Sequence, residues 1–145
     1  MLRNLIFLLL GVSLLGLGGC RREGVAVFEN KKETLQREWR NSFEEETGTD
    51  RKVFRNDNYA FPETQSGFTG KAPYRQTYSF AKDGRVLVSK LLKNGSTTQY
   101  VGTWDYSETT QILSINYFDG EARTVVSPSF EVITLVQDKL LVKTR

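Results

Sequence analysis

Apolar and polar positions alternate along most of the chain after about residue 74. Tyr74, Tyr78 and Phe80 share one parity in "YRQTYSF", the turn "KDG" follows at 82–84, and "RVLVSKLL" (85–92) alternates again. This period of two predicts half-buried strands. Asn94–Gly95 reads as a type I′ hairpin turn, which needs positive φ at both central residues. In "TTQYVGTWDYS" (97–107) Tyr100, Trp104 and Tyr106 fall on one face, with Gly102 among them relieving crowding or marking a bulge. Further strands are expected at 112–118, 122–126, 129–136 and 139–144, with a turn at Asp119–Gly120.

The earlier part is less regular. In "LQREWRNSFEEE" (35–46), Leu35, Trp39 and Phe43 are spaced as on a helix, whereas Trp39, Asn41, Phe43 and Glu45 alternate as on a strand. The β-rich remainder favours a strand, followed by a turn at 47–50 and a strand at 51–55. Residues 56–75, "NDNYAFPETQSGFTGKAPYR", lack a period and read as a long loop. Eight or nine short strands with turns every ~8–12 residues indicate an all-β sandwich or barrel. Tight turns between successive strands favour a meander that closes on itself, because closure removes exposed edges. The expected fold is a small antiparallel up-and-down β-barrel preceded by a helical signal peptide.

That leader is read from the opening of the chain. Arg3 precedes an apolar run from Leu5 to Leu17, and Gly18 and Gly19 follow. A basic start, an apolar middle and a small-residue exit describe a secretory signal peptide. The run is shorter than the ~20 apolar residues that span a bilayer. An uncleaved anchor is the alternative. Leu17-Gly18-Gly19-Cys20 resembles the lipobox of bacterial lipoproteins. The resemblance implies cleavage between Gly19 and Cys20, a diacylglyceryl group on the Cys20 thiol, and a further acyl chain such as palmitate on the new amine. Two or more chains give stable anchoring. Arginine rather than aspartate at position 21 implies, by the same resemblance, sorting to the outer membrane of the cell envelope. The organisation read from the sequence is a signal peptide at 1–19, a lipidated tether at 20–34 and a barrel domain at 35–145.

Composition narrows the chemistry. The 145 residues suit one domain, and 39% hydrophobic with 12% aromatic residues can fill a small core. The net charge of +3, with its basic residues spread along the chain, does not point to nucleic acid. With no histidine and one cysteine, most zinc sites, His-based catalytic triads and internal disulfides are excluded. No cofactor, metal or catalytic residue is assigned, and the protein is read as a non-enzyme.

"YSFAKDGRV", "YVGTWDYSETTQILSINY" and "FEVITLVQDKLLVK" together resemble the lipocalin-like domains of small bacterial lipoproteins. Phe80, Asp83 and Gly84 match a strand ending in "F..DG"; Gly102, Trp104, Leu113 and Ile115 match "G.W......L.I"; Leu135, Asp138, Leu140 and Val142 match "..L..D.L.L". The resemblance covers most of 35–145 and implies a small barrel that binds a ligand or a partner.

Several residues are candidates for that contact. Trp39, Tyr78, Phe80, Trp104 and Tyr106 either line a pocket or fill the core. Among Glu44–Glu46, Glu45 falls with Trp39 and Phe43 if the segment is a strand. There it is either a functional carboxylate at the barrel mouth or a solvated partner of a nearby Arg or Lys. Tyr59 and Phe61 either contact a partner or fold back as a lid over one barrel end. The basic residues Lys71, Arg75, Lys82, Arg85, Lys90 and Lys93 read as a solvated face. Two roles follow: a membrane-anchored module for a small apolar or amphipathic ligand, or an interaction lipoprotein that contacts another envelope protein through a sheet face or loop 56–75.

Overall fold

The computed structural model describes residues 30–62 and 73–145. The signal peptide, the cleavage site at Gly19 and Cys20, most of the tether and the middle of the long loop lie outside the described residues.

The described chain opens with a short helix, α1 (Lys31–Leu35), capped by Asn30, whose side chain accepts from the Lys32 and Glu33 amides. Nine strands follow: β1 (Glu38–Asn41), β2 (Arg51–Arg55), β3 (Thr77–Phe80), β4 (Arg85–Leu91), β5 (Thr97–Ser107), β6 (Ile112–Asp119), β7 (Thr124–Val126), β8 (Ser129–Leu135) and β9 (Lys139–Thr144). Every pairing is antiparallel. Around the ring the order is β1-β2-β9-β8-β6-β5-β4-β3 and back to β1, a closed eight-stranded barrel with β7 as an extra strand on β6. The expected all-β barrel is the observed one.

Its sequence order departs from a pure meander at one place. β1 lies between β2 and β3, so the chain crosses from β2 to β3 through residues 56–76. β7 and β8 keep one register against β6, from Asp119↔Thr124 through Tyr117↔Val126 to Ile112↔Glu131. They are a single edge interrupted at Pro128, which lacks an amide to donate but whose carbonyl accepts from Ile115. In β8, Ile133 is an extra residue between Val132↔Val142 and Thr134↔Leu141, a bulge that bends the strand around the barrel.

Strand alternation sends one set of side chains inward. Tyr78 sits among Phe54, Phe80 and Phe130 at centroid distances of 5.6, 6.0 and 6.2 Å, and Phe80 leans on Trp104 at 5.0 Å. Val86, Val88, Leu113, Ile115, Leu140 and Val142 fill the remaining volume and are at most 2% exposed. Leu35, at the end of α1, joins this core.

The strand expected over 35–46 is replaced by three elements: the end of α1, β1, and a 3-10 turn at Phe43–Glu45. The helical and strand spacings seen in the sequence are each followed for part of its length. A strand would point Glu44 and Glu45 to opposite faces. The tight turn instead lets both reach arginines on the outer wall, and Glu45 also accepts from the Ser42 hydroxyl. Two turns also differ from expectation. Asn94–Gly95 is not type I′: the Gly95 amide donates to Leu92 and Gly95 alone has positive φ, 82°, giving a three-residue loop. At the next hairpin the Asp119 carboxylate, accepting from the Glu121 and Ala122 amides, holds a loop that ends with Arg123 at φ 52°.

Gly102 shows a close approach and no register shift. It faces inward opposite Tyr117, where an added Cβ would stand 2.2 Å from the Asn116 carbonyl oxygen and 2.8 Å from the Tyr117 Cβ. Backbone cannot yield as a flexible side chain does, so Gly102→Ala is expected to lower unfolding free energy by about 2 kcal/mol. Urea titration of the variant against the parent checks this.

Candidate functional site

The barrel interior is the first place to look for a ligand, and side chains occupy it. Trp39, Tyr78 and Trp104, three of the candidate contact residues, are 0%, 5% and 5% exposed and belong to the packed core. Burial pushes the Tyr78 phenol well above its usual range. The indole nitrogens are spent inside the fold: Trp39 donates to the Leu35 carbonyl at 3.0 Å and Trp104 to that of Ala81 at 2.9 Å. α1 closes one end, with Leu35 buried, Lys32 over the Trp104 ring and paired with Asp105, and Lys31 donating to Gln111. At the other end Lys90 pairs with the buried Asp119, and Tyr100 stacks on Tyr117 at 5.9 Å. The Lys90 ammonium, with the Ala122 and Glu121 amides, holds the Asp119 carboxyl down to about 2.

The other candidates gather on the outer wall, away from Trp39, Tyr78 and Trp104. The 3-10 turn presents Glu45 to Arg55 in a two-point contact, Nε–Oε1 2.8 Å and NH2–Oε2 2.7 Å, with Lys139 and Ser42 adding further bonds. These donors, Arg55 foremost, lower the Glu45 carboxyl to about 2. Glu44 forms a matching pair with Arg75, and its carboxyl is lowered by that bond. Tyr59 covers the Arg55 guanidinium at 4.6 Å, while Phe43 and Phe61 each lie 4.5 Å from that of Arg75. Phe43 is 41% exposed rather than inward, because the turn rotates it off the face that Trp39 uses. Glu45, Tyr59 and Phe61 therefore form a clamp that pins the crossover to β1 and β2. Arg75, expected on a solvated basic face, is instead buried and paired with Glu44, and no spacing marks either arginine, since each meets its acid only once the barrel closes.

Two outward features remain. The first is an apolar row across β4, β5, β6 and β7. Leu87 pairs with Val101 and Phe118 with Val125, while Gly102↔Tyr117 places Val101 next to Phe118. These four are 41%, 65%, 56% and 65% exposed. A cleft of about 220 Å³ beside Ser79, Ala81 and Arg85 extends the row toward β3. The signal was in the sequence as the parity opposite to Trp104 and Tyr117. The second is a polar groove of about 710 Å³ that crosses the outside of β1, β3, β4 and β5 near Arg40, Thr77, Ser89 and Gln99.

The acid clamps give a pH signature. Glu45 shifts from 4.5 and Asp119 from 3.8, each to about 2. The unfolded chain binds protons first as pH falls, so both groups stabilise the fold above their ordinary values and lose that contribution on the way down to about 2. The denaturation midpoint is expected to be flat above about pH 5 and to fall below it. Glu45→Gln should lower the midpoint at pH 7 and flatten the acid limb. Thermal melts across this range measure both.

No protein-family model matches the chain, and neither a characterised protein nor a solved structure matches it.

Proposed function

We propose that the protein is a lipid-anchored, non-catalytic interaction module of the bacterial envelope, which contacts another envelope protein through the outer face of β4–β7. The observation that carries this reading is the contrast between a filled, end-capped interior and four large apolar side chains left in a row outside. A contiguous exposed apolar patch marks a contact surface more often than chance does. The small apolar ligand that the barrel interior would otherwise hold meets Trp39, Tyr78 and Trp104 in that space. Binding is therefore assigned to the outer wall, and the aromatics of loop 56–75, Tyr59 and Phe61, are assigned to the clamp.

The anchor rests on the sequence alone. Leu17-Gly18-Gly19-Cys20 supports acylation of Cys20 after the signal peptide is removed, and Arg21 supports sorting to the outer membrane. Nine residues lie between Cys20 and Asn30, so the two are ten residue steps apart. At ~3.3–3.6 Å per extended residue, the tether holds the barrel within about 35 Å of the bilayer.

Two measurements test the reading. Radiolabelled palmitate should appear on the full chain and disappear in Cys20→Ala; an unlabelled parent removes the anchor. A photo-crosslinking residue placed at Val101 or Phe118, in cells, should yield one adduct of defined mass that the same residue at Arg51 does not yield. Adducts at all three positions alike, or at none, defeat the proposed contact face.

A further inference from the structure

We infer that the polar groove on the outer wall is a second binding site, one that takes a neutral polyhydroxylated ligand such as a saccharide chain. It does not depend on the apolar row or on the anchor. The groove exists because the β3–β4 ladder stops at Tyr78↔Val88. One step further, the Thr77 amide donates to the Ser89 hydroxyl at 2.8 Å in place of a backbone carbonyl. A rung built through a side chain is longer than a backbone rung, so the two strands part. The Thr77 hydroxyl donates to the same Ser89 oxygen at 2.7 Å, and the Tyr74 hydroxyl lies 3.2 Å from it. Tyr74, Thr77 and Ser89 thus form a cross-linked floor whose rotamers are fixed before any ligand arrives.

The walls carry the recognition groups. On β1, Arg40 donates to Glu38 at 2.8 Å, and both remain about two-fifths exposed. On β5, Thr97, Thr98 and Gln99 line the groove, and among the described residues no hydrogen bond engages their side chains. The volume of about 710 Å³ falls in the usual range for ligand sites.

The lining selects a chemical class. An apolar ligand would strip water from hydroxyls, an amide and an ion pair and return nothing. An anion would meet the Glu38 carboxylate that offsets Arg40, while Arg75, at the groove's edge, is already paired with Glu44. A polyol suits the whole set. Each of its hydroxyls donates and accepts, as do Gln99 and the two threonines, while Glu38 supplies acceptors and Arg40 a planar fork of donors. The Tyr74 ring adds an apolar surface for the C–H face of a sugar.

The test uses the purified full chain in a zwitterionic detergent without sugar groups. Maltotetraose, cellotetraose and chitotetraose are the neutral probes, and myo-inositol hexakisphosphate is the anionic one; saturation-transfer NMR reads binding. At least one tetrasaccharide should bind with a Kd of millimolar or tighter. Gln99→Ala and Arg40→Ala should each weaken it about fivefold or more, and Arg51→Ala, on β2, should leave it unchanged. The outcomes that overturn the site are no tetrasaccharide signal up to about 10 mM, undiminished affinity in both groove variants, or binding of the phosphate probe alone. Circular dichroism confirms that the variants, all altered at exposed or half-exposed positions, remain folded.

Discussion

The pairing of β6 with β8 turns a sheet into a barrel. It consists of Ile112↔Glu131, Leu113↔Phe130 and Ser114↔Ser129, continued by the Ile115 amide bonded to the Pro128 carbonyl. On its other edge β6 runs along β5 from Gly102 to Ser107. This short seam forces every strand to have an inside and an outside. It also sets the inner width, which in an eight-stranded barrel is just enough for side chains. Where those side chains are Trp39, Phe54, Tyr78, Phe80, Trp104 and Phe130, that width is used up. On the other edge of β6, β5 lies so close that Gly102 has no room for a Cβ against Asn116 and Tyr117.

A filled barrel moves recognition outward, and the outer wall is not uniform. Arginines covered by aromatic rings fasten the crossover on one side. On the other, β4 and β5 carry two neighbouring textures on the same face: Leu87 and Val101 are apolar, and two residues along, Ser89 and Gln99 are polar. The change coincides with the level at which β3 leaves β4. Below it the wall is continuous sheet, and above it the wall opens into the groove. One geometric event thus separates the apolar row, proposed to meet a protein, from the polar groove, proposed to take a hydroxylated ligand.

Much of the fold was legible because it rests on local period and local turn chemistry. The strands at 85–91 and 97–107, and the inward parity of Trp104 and Tyr106, need no distant partner to be read. Segment 35–46 was misread because its outcome depends on Arg55 and Arg75, which are remote in sequence, and on Leu35 finding the barrel end. Asn94–Gly95 carried a strong turn signal, yet the register Leu91↔Thr97, continued by the Leu92 amide bonded to the Ser96 carbonyl, left three residues to span and only glycine took the left-handed conformation. The placement of β1 between β2 and β3 has no local signature. Among the candidate residues, Trp39, Tyr78 and Trp104 were found as a set but serve the core, while Glu45 behaves as the partner of a nearby arginine and lysine. The groove was invisible because it arises from a missing backbone rung, and no residue spacing encodes that.

The helix that stoppers one end is also where the chain ahead of residue 30 enters the fold. Any tension on that chain arrives first at five residues held by buried Thr34 and Leu35, the Trp39 indole bonded to the Leu35 carbonyl, and two exposed lysine contacts. The strands behind them are bonded along both edges and resist shear collectively. Force would therefore uncork the barrel before it tore the wall, baring Trp104 and the rings around it while the sheet stayed whole.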